Sequence, residues 1–411
     1  MTAVQSAASP LTLADLPYAD LEGPEYAAAP YDYLDRMREQ TWGARTAIGL
    51  MVLGYDAIQE VYNDPRFRTP GVDTYKLQGV TSGIAYEWWE STVLNKEGVD
   101  HLRIRSLVRD AFSPRSVNRY RERMREQVRA LAAKLPAGEP FDFVEMYANP
   151  LPVGVTCSLL GVASPDFERF GKWTRDITLS TQPVAWAESL PKVEAALAGM
   201  FEYLDVMMAE RRADPRDDLL SDLLRAEQDG DRLTSAELRS LVSLLLVGGM
   251  DTTRFQLSSM MEIFLNRPEQ WESVAADPGM ADQVAEELLR YRPAIMENFR
   301  FAMEDVELRG VMIPAGTYVS MSTAAANHDE HFTPRGSEFE LNRAATRHVT
   351  FGKGPHFCLG AALARTEVEE TLRTLPALMT SLRWEGEPTH RIPRAITGPE
   401  VIPMSFTRRT V

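Results

Sequence analysis

Apolar residues follow a helical pattern through the middle of the chain. Between Asp100 and Arg290 they recur at the three-to-four-residue spacing of a helix face, with interruptions near prolines and at Asp229-Gly230, and this predicts a series of packed helices. Residues 304–310 and 311–320 instead alternate apolar and polar positions around glycines, which predicts short strands.

The N-terminal region adds a smaller β element. Residues 46–53 form a short apolar run and residues 55–62 have helical spacing, so this region predicts a strand followed by a helix. No internal repeat or linker divides the chain, and we expect one domain spanning residues 1–411. The predicted fold is mainly α with a minor β region: a helix-rich body at about 100–292, and β-rich parts near 45–55, near 298–320 and at the C-terminus.

One predicted helix is unusually long. Thr234 and Glu237 have the spacing of a capping box, and a dense apolar run continues from Leu238 to Leu265 before Pro268 stops it. A helix of about 30 residues is ~45 Å long. Because it is apolar on nearly every side, we expect it to cross the interior of the protein.

Composition and charge narrow the function classes. The chain has 411 residues, with 44 Lys+Arg against 59 Asp+Glu and a net charge of −15, which argues against a nucleic-acid partner. Its 44% hydrophobic and 25% charged residues are those of an ordinary globular protein. No apolar stretch approaches the ~20 residues that span a bilayer, and residues 1–24 do not resemble a signal peptide. We therefore expect a cytoplasmic protein without a membrane anchor.

The centre of the long helix is locally unfavourable for a helix. Gly248-Gly249-Met250-Asp251-Thr252-Thr253 lies in the apolar run, although each glycine costs ~1 kcal/mol relative to Ala there and Asp and Thr compete for backbone hydrogen bonds. One interpretation is close helix packing over the glycines, with Asp251 facing a buried arginine or water. The other is a widened turn where a ligand approaches the backbone and Asp251 and Thr252 relay protons.

A second unusual segment surrounds Cys358. Gly352 and Gly354 permit tight turns, and Cys358 stands just before a predicted helix whose N-terminus favours a thiolate. The other cysteine, Cys157, lies in an apolar run and is interpreted as a small core residue. A lone thiolate cannot complete a zinc site, but it can be the single axial ligand of haem iron.

Three segments together resemble the cytochrome P450 superfamily. Phe351-x-x-Gly354-x-x-x-Cys358-x-Gly360 resembles the haem-binding signature of that family, and Gly249-x-Asp251-Thr252 resembles its oxygen-activating segment. The third segment resembles the family's Glu-x-x-Arg motif with a partner arginine before the cysteine, and its members here are Glu287, Arg290 and Arg343.

The resemblance implies a long helix over a buried haem b, with Cys358 as the axial ligand of the iron. It implies that Asp251 and Thr252 deliver the protons that let the O–O bond of bound O₂ cleave. The other residues it implies at the haem are His101, Arg105, Arg300 and His356, as partners of the haem carboxylates, together with Phe351 and Gly249.

The implied activity is a monooxygenase reaction with O₂, two electrons from NAD(P)H and a small organic substrate. Three alternatives stay open: a haem-thiolate enzyme that couples, desaturates or isomerises its substrate, a haem-thiolate sensor, and a haem-free helical binding module. A sensor would not need Asp251 and Thr252, and a haem-free module would leave Cys358 unexplained.

Electrons would come from separate proteins, because the chain carries no recognisable flavin or nicotinamide fingerprint. We expect a ferredoxin-like or flavodoxin-like carrier with its reductase, and a monomeric enzyme. Residues 101–129 hold nine arginines against three acidic residues, a local reversal of the overall charge that would steer an acidic carrier. Alternatively, these arginines pair with acids elsewhere in the chain.

The expected substrate is a mainly apolar organic molecule, such as a terpenoid, an aromatic or another natural product, because few charges occur in the predicted pocket lining. That lining comprises residues 75–89, residues 173–186, Leu244, Leu245, Val247, residues 295–299 and Ile396-Thr397. His328 is expected at the surface.

Overall fold

The computed structural model describes residues 11–181, 186–228, 233–344, 347–393 and 395–409. Helices in these ranges are α1 Pro24–Ala28, α2 Pro30–Gln40, α3 Tyr55–Asn63, α4 Asp73–Leu77, α5 Ile84–Ser91, α6 Gly98–Val108, α7 Pro114–Asn118, α8 Arg121–Lys134, α9 Pro150–Leu160, α10 Phe167–Thr178, α11 Trp186–Ala213, α12 Leu219–Gln228, α13 Ser235–Leu265, α14 Pro268–Ala276, α15 Ala281–Tyr291, α16 Thr323–Asn327 and α17 Ala361–Leu378. Strands are β1 Leu11–Thr12, β2 Gly43–Thr46, β3 Gly49–Val52, β4 Phe67–Arg68, β5 Phe141–Asp142, β6 Glu297–Ala302, β7 Val306–Leu308, β8 Val311–Ile313, β9 Tyr318–Ser322, β10 Met379–Trp384, β11 Thr389–His390, β12 Pro399–Val401 and β13 Pro403–Arg408. The predicted mainly α fold with a minor β region is confirmed.

The chain falls into two compact units. The first comprises residues 1–70 and 297–338, and the second comprises residues 71–296 and 339–411. The earlier expectation of one domain over residues 1–411 stays a prediction.

The first unit contains the larger sheet. Its strand order is β2-β3-β9-β6-β4, with β3 and β9 parallel and the other neighbours antiparallel. The strand predicted at residues 46–53 is confirmed as β3, and the sequence did not predict β2, which pairs with β3 as a hairpin. Gly49, at φ 147°, lies so close to Tyr318 of β9 that a Cβ would meet its carbonyl oxygen, which is why the second strand begins at a glycine.

One surface prediction in this unit is wrong. His328 is buried, and its Nδ1 lies 2.9 Å from Asp35 Oδ2 while its ring stacks against Tyr31. His328 directly follows α16, whose residues are all buried. Its imidazole is therefore buried as well, and Asp35 provides the hydrogen-bond partner that a buried polar group needs.

The second unit is the helical body. Its apolar residues form two clusters of buried side chains, one including Phe264 and Trp271 and the other including Leu197 and Leu241. Two small sheets, β10-β13-β5 and β11-β12, lie in the same unit.

The long helix α13 contributes to both clusters and confirms the prediction for residues 235–265. Thr234 and Glu237 form the predicted capping box, in which the Thr234 hydroxyl accepts from Glu237 N and the Glu237 carboxylate accepts from Thr234 N. No helix among the described residues is long and apolar enough to cross a membrane.

Candidate active site

The loop that carries Cys358 is held by its own backbone. Gly352 and Gly354 both adopt φ 69°, a left-handed conformation that glycine takes at low cost. Cys358 N donates to Phe351 O at 2.8 Å, and Ala361 N, at the start of α17, donates to Cys358 O at 3.3 Å. The predicted tight turns before a helix N-terminus are therefore present.

Cys358 is an exposed residue of the second unit. The residue is exposed, yet enough protein surrounds its sulfur that burial raises the pKa of the thiol. The Gly360 N–H and the guanidiniums of Arg105 and Arg365 lower the pKa, but they do not outweigh the loss of solvent. A bound metal ion would reverse this balance, because it supplies the positive charge that a thiolate needs.

Three of the predicted haem residues come together beside this loop. The rings of His101 and His356 lie 4.2 Å apart between centroids, and Arg105 Nη2 donates to Phe357 O at 2.7 Å. Burial, followed by the nearby His356 and Arg105, lowers the pKa of His101 to about 4. His356 Nε2 lies 3.2 Å from Glu97 Oε2, while its buried Nδ1 has no hydrogen-bond partner among the described residues.

Two other predicted haem residues lie in different surroundings. Phe351 packs in the cysteine loop, with the Arg365 guanidinium carbon 4.4 Å from its ring centroid. Arg300 lies on β6 of the first unit, where its guanidinium carbon is 5.3 Å from the Tyr62 ring. Its assignment to a haem carboxylate stays a prediction.

The two glycines of α13 have different roles. A Cβ on Gly249 would lie 3.2 Å from Thr156 Oγ1 of α9, whereas a Cβ on Gly248 would meet no atom of the described residues within 4 Å. Gly248 is exposed in the middle of an otherwise buried helix, and the Thr252 hydroxyl donates to its carbonyl at 2.6 Å. Gly249 therefore allows α13 to pack closely on α9, and its assignment to the cofactor stays a prediction.

Asp251 is buried and paired with two arginines. Its Oδ1 accepts from Arg254 Nε and Nη2 at 2.9 and 2.6 Å, and its Oδ2 accepts from Arg391 Nη1 at 3.0 Å. The interpretation in which Asp251 faces a buried arginine is therefore realised. The spacing of Asp251 and Arg254 along one helix could have predicted their pair, but no sequence pattern indicated Arg391.

The Glu287 network ties α15 to the segment before the cysteine loop. Glu287 accepts from Arg290 at 2.7 and 2.8 Å, from Arg343 Nε at 3.0 Å and from Glu340 N at 3.0 Å. All three predicted members are buried. Removing one partner of such a pair leaves a buried charge uncompensated, at about 3–5 kcal/mol, so the network acts on the structure of the site.

These residues fit the haem that the resemblance implies. An accessible thiol, an open helix face at Gly248 and an orphaned buried nitrogen at His356 lie in the same unit. A cysteine thiolate is a known axial ligand of haem iron. Arg105 and His356 are hydrogen-bond donors of the kind that bind carboxylates such as the haem propionates. Among the described residues, no group of three or more His, Cys, Asp or Glu side chains could hold a separate metal ion.

Most arginines of residues 101–129 pair with acids, as the alternative interpretation of this segment held. Arg103 pairs with Glu237, and Arg121 and Arg125 both pair with Glu370 at 2.7 and 2.8 Å. Arg109 and Arg119 also contact carboxylates. The arginines that are exposed and have no acid partner among the described residues are Arg115, Arg123 and Arg129.

Contacts join some of the segments predicted to line the substrate site. Trp88 Nε1 donates to Ser243 Oγ at 2.8 Å, which joins the segment 75–89 to α13, and Ile295 pairs with Ile396 in an isolated β-bridge. Leu244 and Leu245 are half-buried, whereas Val247 is buried. Residues 182–185 of the predicted lining lie outside the described residues.

Comparison with known proteins identifies the relatives of this chain. The family model described as Cytochrome P450 matches residues 42–277 and 279–400. The luteothin monooxygenase of Streptomyces thioluteus is 35% identical over 395 residues, covering 96% of this chain and 97% of that protein. The mycinamicin IV hydroxylase/epoxidase of Micromonospora griseorubida is 36% identical over 347 residues, covering 81% of this chain and 85% of that protein.

The similarity extends to the fold. The structure of cytochrome P450 CYP109Q5 from Chondromyces apiculatus superposes with a TM-score of 0.87 at 28% identity, covering 96% of this chain and 99% of that one. The crystal structure of CalO2 gives a TM-score of 0.89 at 27% identity, covering 95% and 99%.

Proposed function

The chain belongs to the cytochrome P450 family and is an oxidoreductase with haem b as its cofactor, and from that premise we propose that it inserts one oxygen atom of O₂ into a mainly apolar natural product. The other oxygen atom leaves as water, and the two electrons come from NAD(P)H through separate carrier proteins. When bound, haem b supplies the iron at which O₂ is reduced. We propose one haem domain over the whole chain.

The observation that carries the proposal is the accessible Cys358 thiol beside a cluster of cationic and imidazole donors. In the proposal Cys358 ligates the iron, and the Gly360 N–H and Arg105 stabilise its negative charge. His101, Arg105 and His356 bind a haem carboxylate, and the orphaned His356 Nδ1 acquires a partner.

The proton path of the proposal uses α13. Thr252 places a hydroxyl beside the open position at Gly248, held there by its bond to the Gly248 carbonyl. Asp251 takes up protons and passes them toward Thr252. This pair favours an oxygen-activating enzyme over a haem-thiolate sensor, which has no use for protons at this position.

The substrate assignment rests on the apolar character of the predicted lining. Leu244, Leu245 and Ile396 are aliphatic, and Trp88 and Trp89 add aromatic surface from α5. The names of two relatives, a luteothin monooxygenase and a mycinamicin IV hydroxylase/epoxidase, support a natural product as the substrate. The second candidate function is oxidative coupling, desaturation or isomerisation at the same haem. Analysis of the product distinguishes these reactions from oxygen insertion.

The function is tested by a substrate screen followed by product analysis. Apolar compounds that bind in the pocket should displace the iron-bound water and shift the Soret band of the purified holoenzyme. Turnover of such a compound under ¹⁸O₂ should give a product that gains one ¹⁸O atom. A product without ¹⁸O would contradict oxygen insertion and favour the second candidate.

The carrier is proposed to be an acidic ferredoxin-like or flavodoxin-like protein that docks on residues 101–129. Because Arg109 contacts Asp110 and Arg119 contacts Asp222, the attraction depends on the exposed Arg115, Arg123 and Arg129. Replacing Arg115 by Glu should lower the rate of carrier-dependent reduction several-fold at 0.1 M salt, where the Debye length is ~10 Å. At 1 M salt the Debye length is ~3 Å, and the rates of the variant and the wild type should become nearly equal.

The measurement compares reduction by the carrier with reduction by dithionite in the same variants. Arg383→Glu is the matched control, because Arg383 is an exposed arginine on β10, outside this segment. An equal effect of both variants would mean that only net charge matters. An unchanged rate in Arg115→Glu would place the docking surface elsewhere.

A further inference from the structure

The two arginines on Asp251 differ in how firmly they are held. Arg254 lies on the same helix, three residues after Asp251, and its side chain is 9% exposed, compared with 18% for Arg391. Both guanidiniums pack on the Phe255 ring, at 3.9 and 4.5 Å from its centroid. Arg391 comes from the segment after β11 and has a second carboxylate within reach, Glu400, at 3.1 Å. The Glu400 side chain is 42% exposed, compared with 3% for Asp251. Arg391 therefore joins a buried carboxylate to one in contact with solvent.

The backbone of Arg391 is tied to a neighbouring turn. Arg391 N donates to Gly398 O at 3.0 Å, and the Thr397 hydroxyl donates to Arg391 O at 2.9 Å. Ile396 and Thr397 belong to the predicted substrate lining. A displacement of this turn by a substrate would therefore act directly on the residue that holds Asp251 Oδ2.

Both oxygens of Asp251 are occupied in this arrangement. Oδ1 accepts two hydrogen bonds from Arg254, and Oδ2 accepts one from Arg391. To pass a proton on, Oδ2 must first accept one from water, and Arg391 occupies that oxygen. In the described part of the chain, Arg254 bonds to Oδ1 and Arg391 is the partner of Oδ2, so departure of Arg391 would free Oδ2.

We propose that Arg391 is a positioning residue for proton delivery, which exchanges between Asp251 and Glu400 and thereby sets how readily Asp251 takes up a proton. This inference rests on the proposed function of Asp251. Arg391 touches neither the reacting oxygen nor the haem in the proposal, and it acts only through the carboxylate.

The test needs no organic substrate. Oxygen consumption by the purified holoenzyme is measured in H₂O and in D₂O, with NADPH and saturating amounts of a surrogate ferredoxin and its reductase. Arg391→Gln should raise consumption in H₂O about threefold to tenfold, which corresponds to an activation free energy lowered by at most about 1.4 kcal/mol. Its solvent isotope effect should move toward one, because proton uptake no longer limits the rate. Arg391→Lys keeps a cation at this position and should restore the wild-type isotope effect.

A second variant changes the equilibrium in the opposite direction. Glu400→Gln weakens the alternative partner of Arg391, so Arg391 should stay on Asp251. Oxygen consumption should then fall and the solvent isotope effect should increase. Because Glu400 is exposed, its replacement should not disturb folding. Arg409→Gln is the control, because Arg409 pairs with Glu272 at 2.7 Å in the same unit and should leave both quantities unchanged.

The outcomes separate the two hypotheses. If Asp251→Asn leaves consumption and its isotope effect unchanged, Asp251 does not deliver protons, and the proposed proton path and this inference both fail. If Asp251→Asn slows consumption but Arg391→Gln changes neither quantity, only the role of Arg391 is wrong. An effect of Arg391→Gln that persists undiminished in the Asp251→Asn background would also overturn it, because Arg391 would then act through another group.

Discussion

Replacing Cys358 by His should abolish the red-shifted Soret band of the reduced carbon monoxide complex, together with all monooxygenase activity. The band depends on a thiolate as the axial ligand, and Cys358 is the cysteine whose thiol is accessible in the second unit. The measurement is the difference spectrum of the purified holoenzyme before and after addition of carbon monoxide.

Cys157→Ala is the matched control for this prediction. Cys157 is fully buried on α9, so its sulfur is not accessible to a ligand, and burial raises the pKa of its thiol far above the usual range. Its replacement should leave the spectrum intact. A red-shifted band that persists in Cys358→His would mean that Cys358 is not the ligand, and the proposed function would lose its central observation.

Replacing Thr252 by Ala should divert most reducing equivalents from product to hydrogen peroxide. The Thr252 hydroxyl is held at the open position of α13 by its bond to Gly248 O. Without this hydroxyl, protons from Asp251 would have no side chain at this position to carry them on, and reduction of O₂ would end at hydrogen peroxide. General acid–base groups contribute about 10²–10⁴-fold to rate, so product formed per NAD(P)H should fall at least about tenfold. The measurement is peroxide and product per NAD(P)H consumed, with a compound from the Soret screen.

Thr253→Ala separates this role from packing. Thr253 is the next residue of α13 but is buried, so its loss should affect stability and leave the ratio of peroxide to product near that of the wild type. Full coupling of NAD(P)H to product in Thr252→Ala would show that the hydroxyl serves only the helix.

The sequence determined the features that depend on neighbouring residues. The capping box at Thr234, the apolar run to Leu265 and the glycines before Cys358 each encode a local structure, and all three appear where predicted. The Glu287 network followed from a family motif, and its third member, Arg343, indeed closes it from a distant segment.

The tertiary structure decided what depends on packing between distant segments. Helical spacing shows that two glycines interrupt α13, but only the position of Thr156 on α9 shows that Gly249 is covered and Gly248 is open. Burial makes the Cys358 thiol harder to ionise in the chain alone, although the sequence predicted only the favourable helix N-terminus.

The same distinction holds for charge. A count along the chain gives residues 101–129 a strong positive charge, yet Arg121 and Arg125 are neutralised by Glu370, nearly 250 positions later. Asp251 acquires Arg391 across 140 positions. Such pairs form because a buried charge requires a partner, and the sequence indicates that requirement without indicating which residue meets it, since the choice depends on how helices and loops pack in three dimensions.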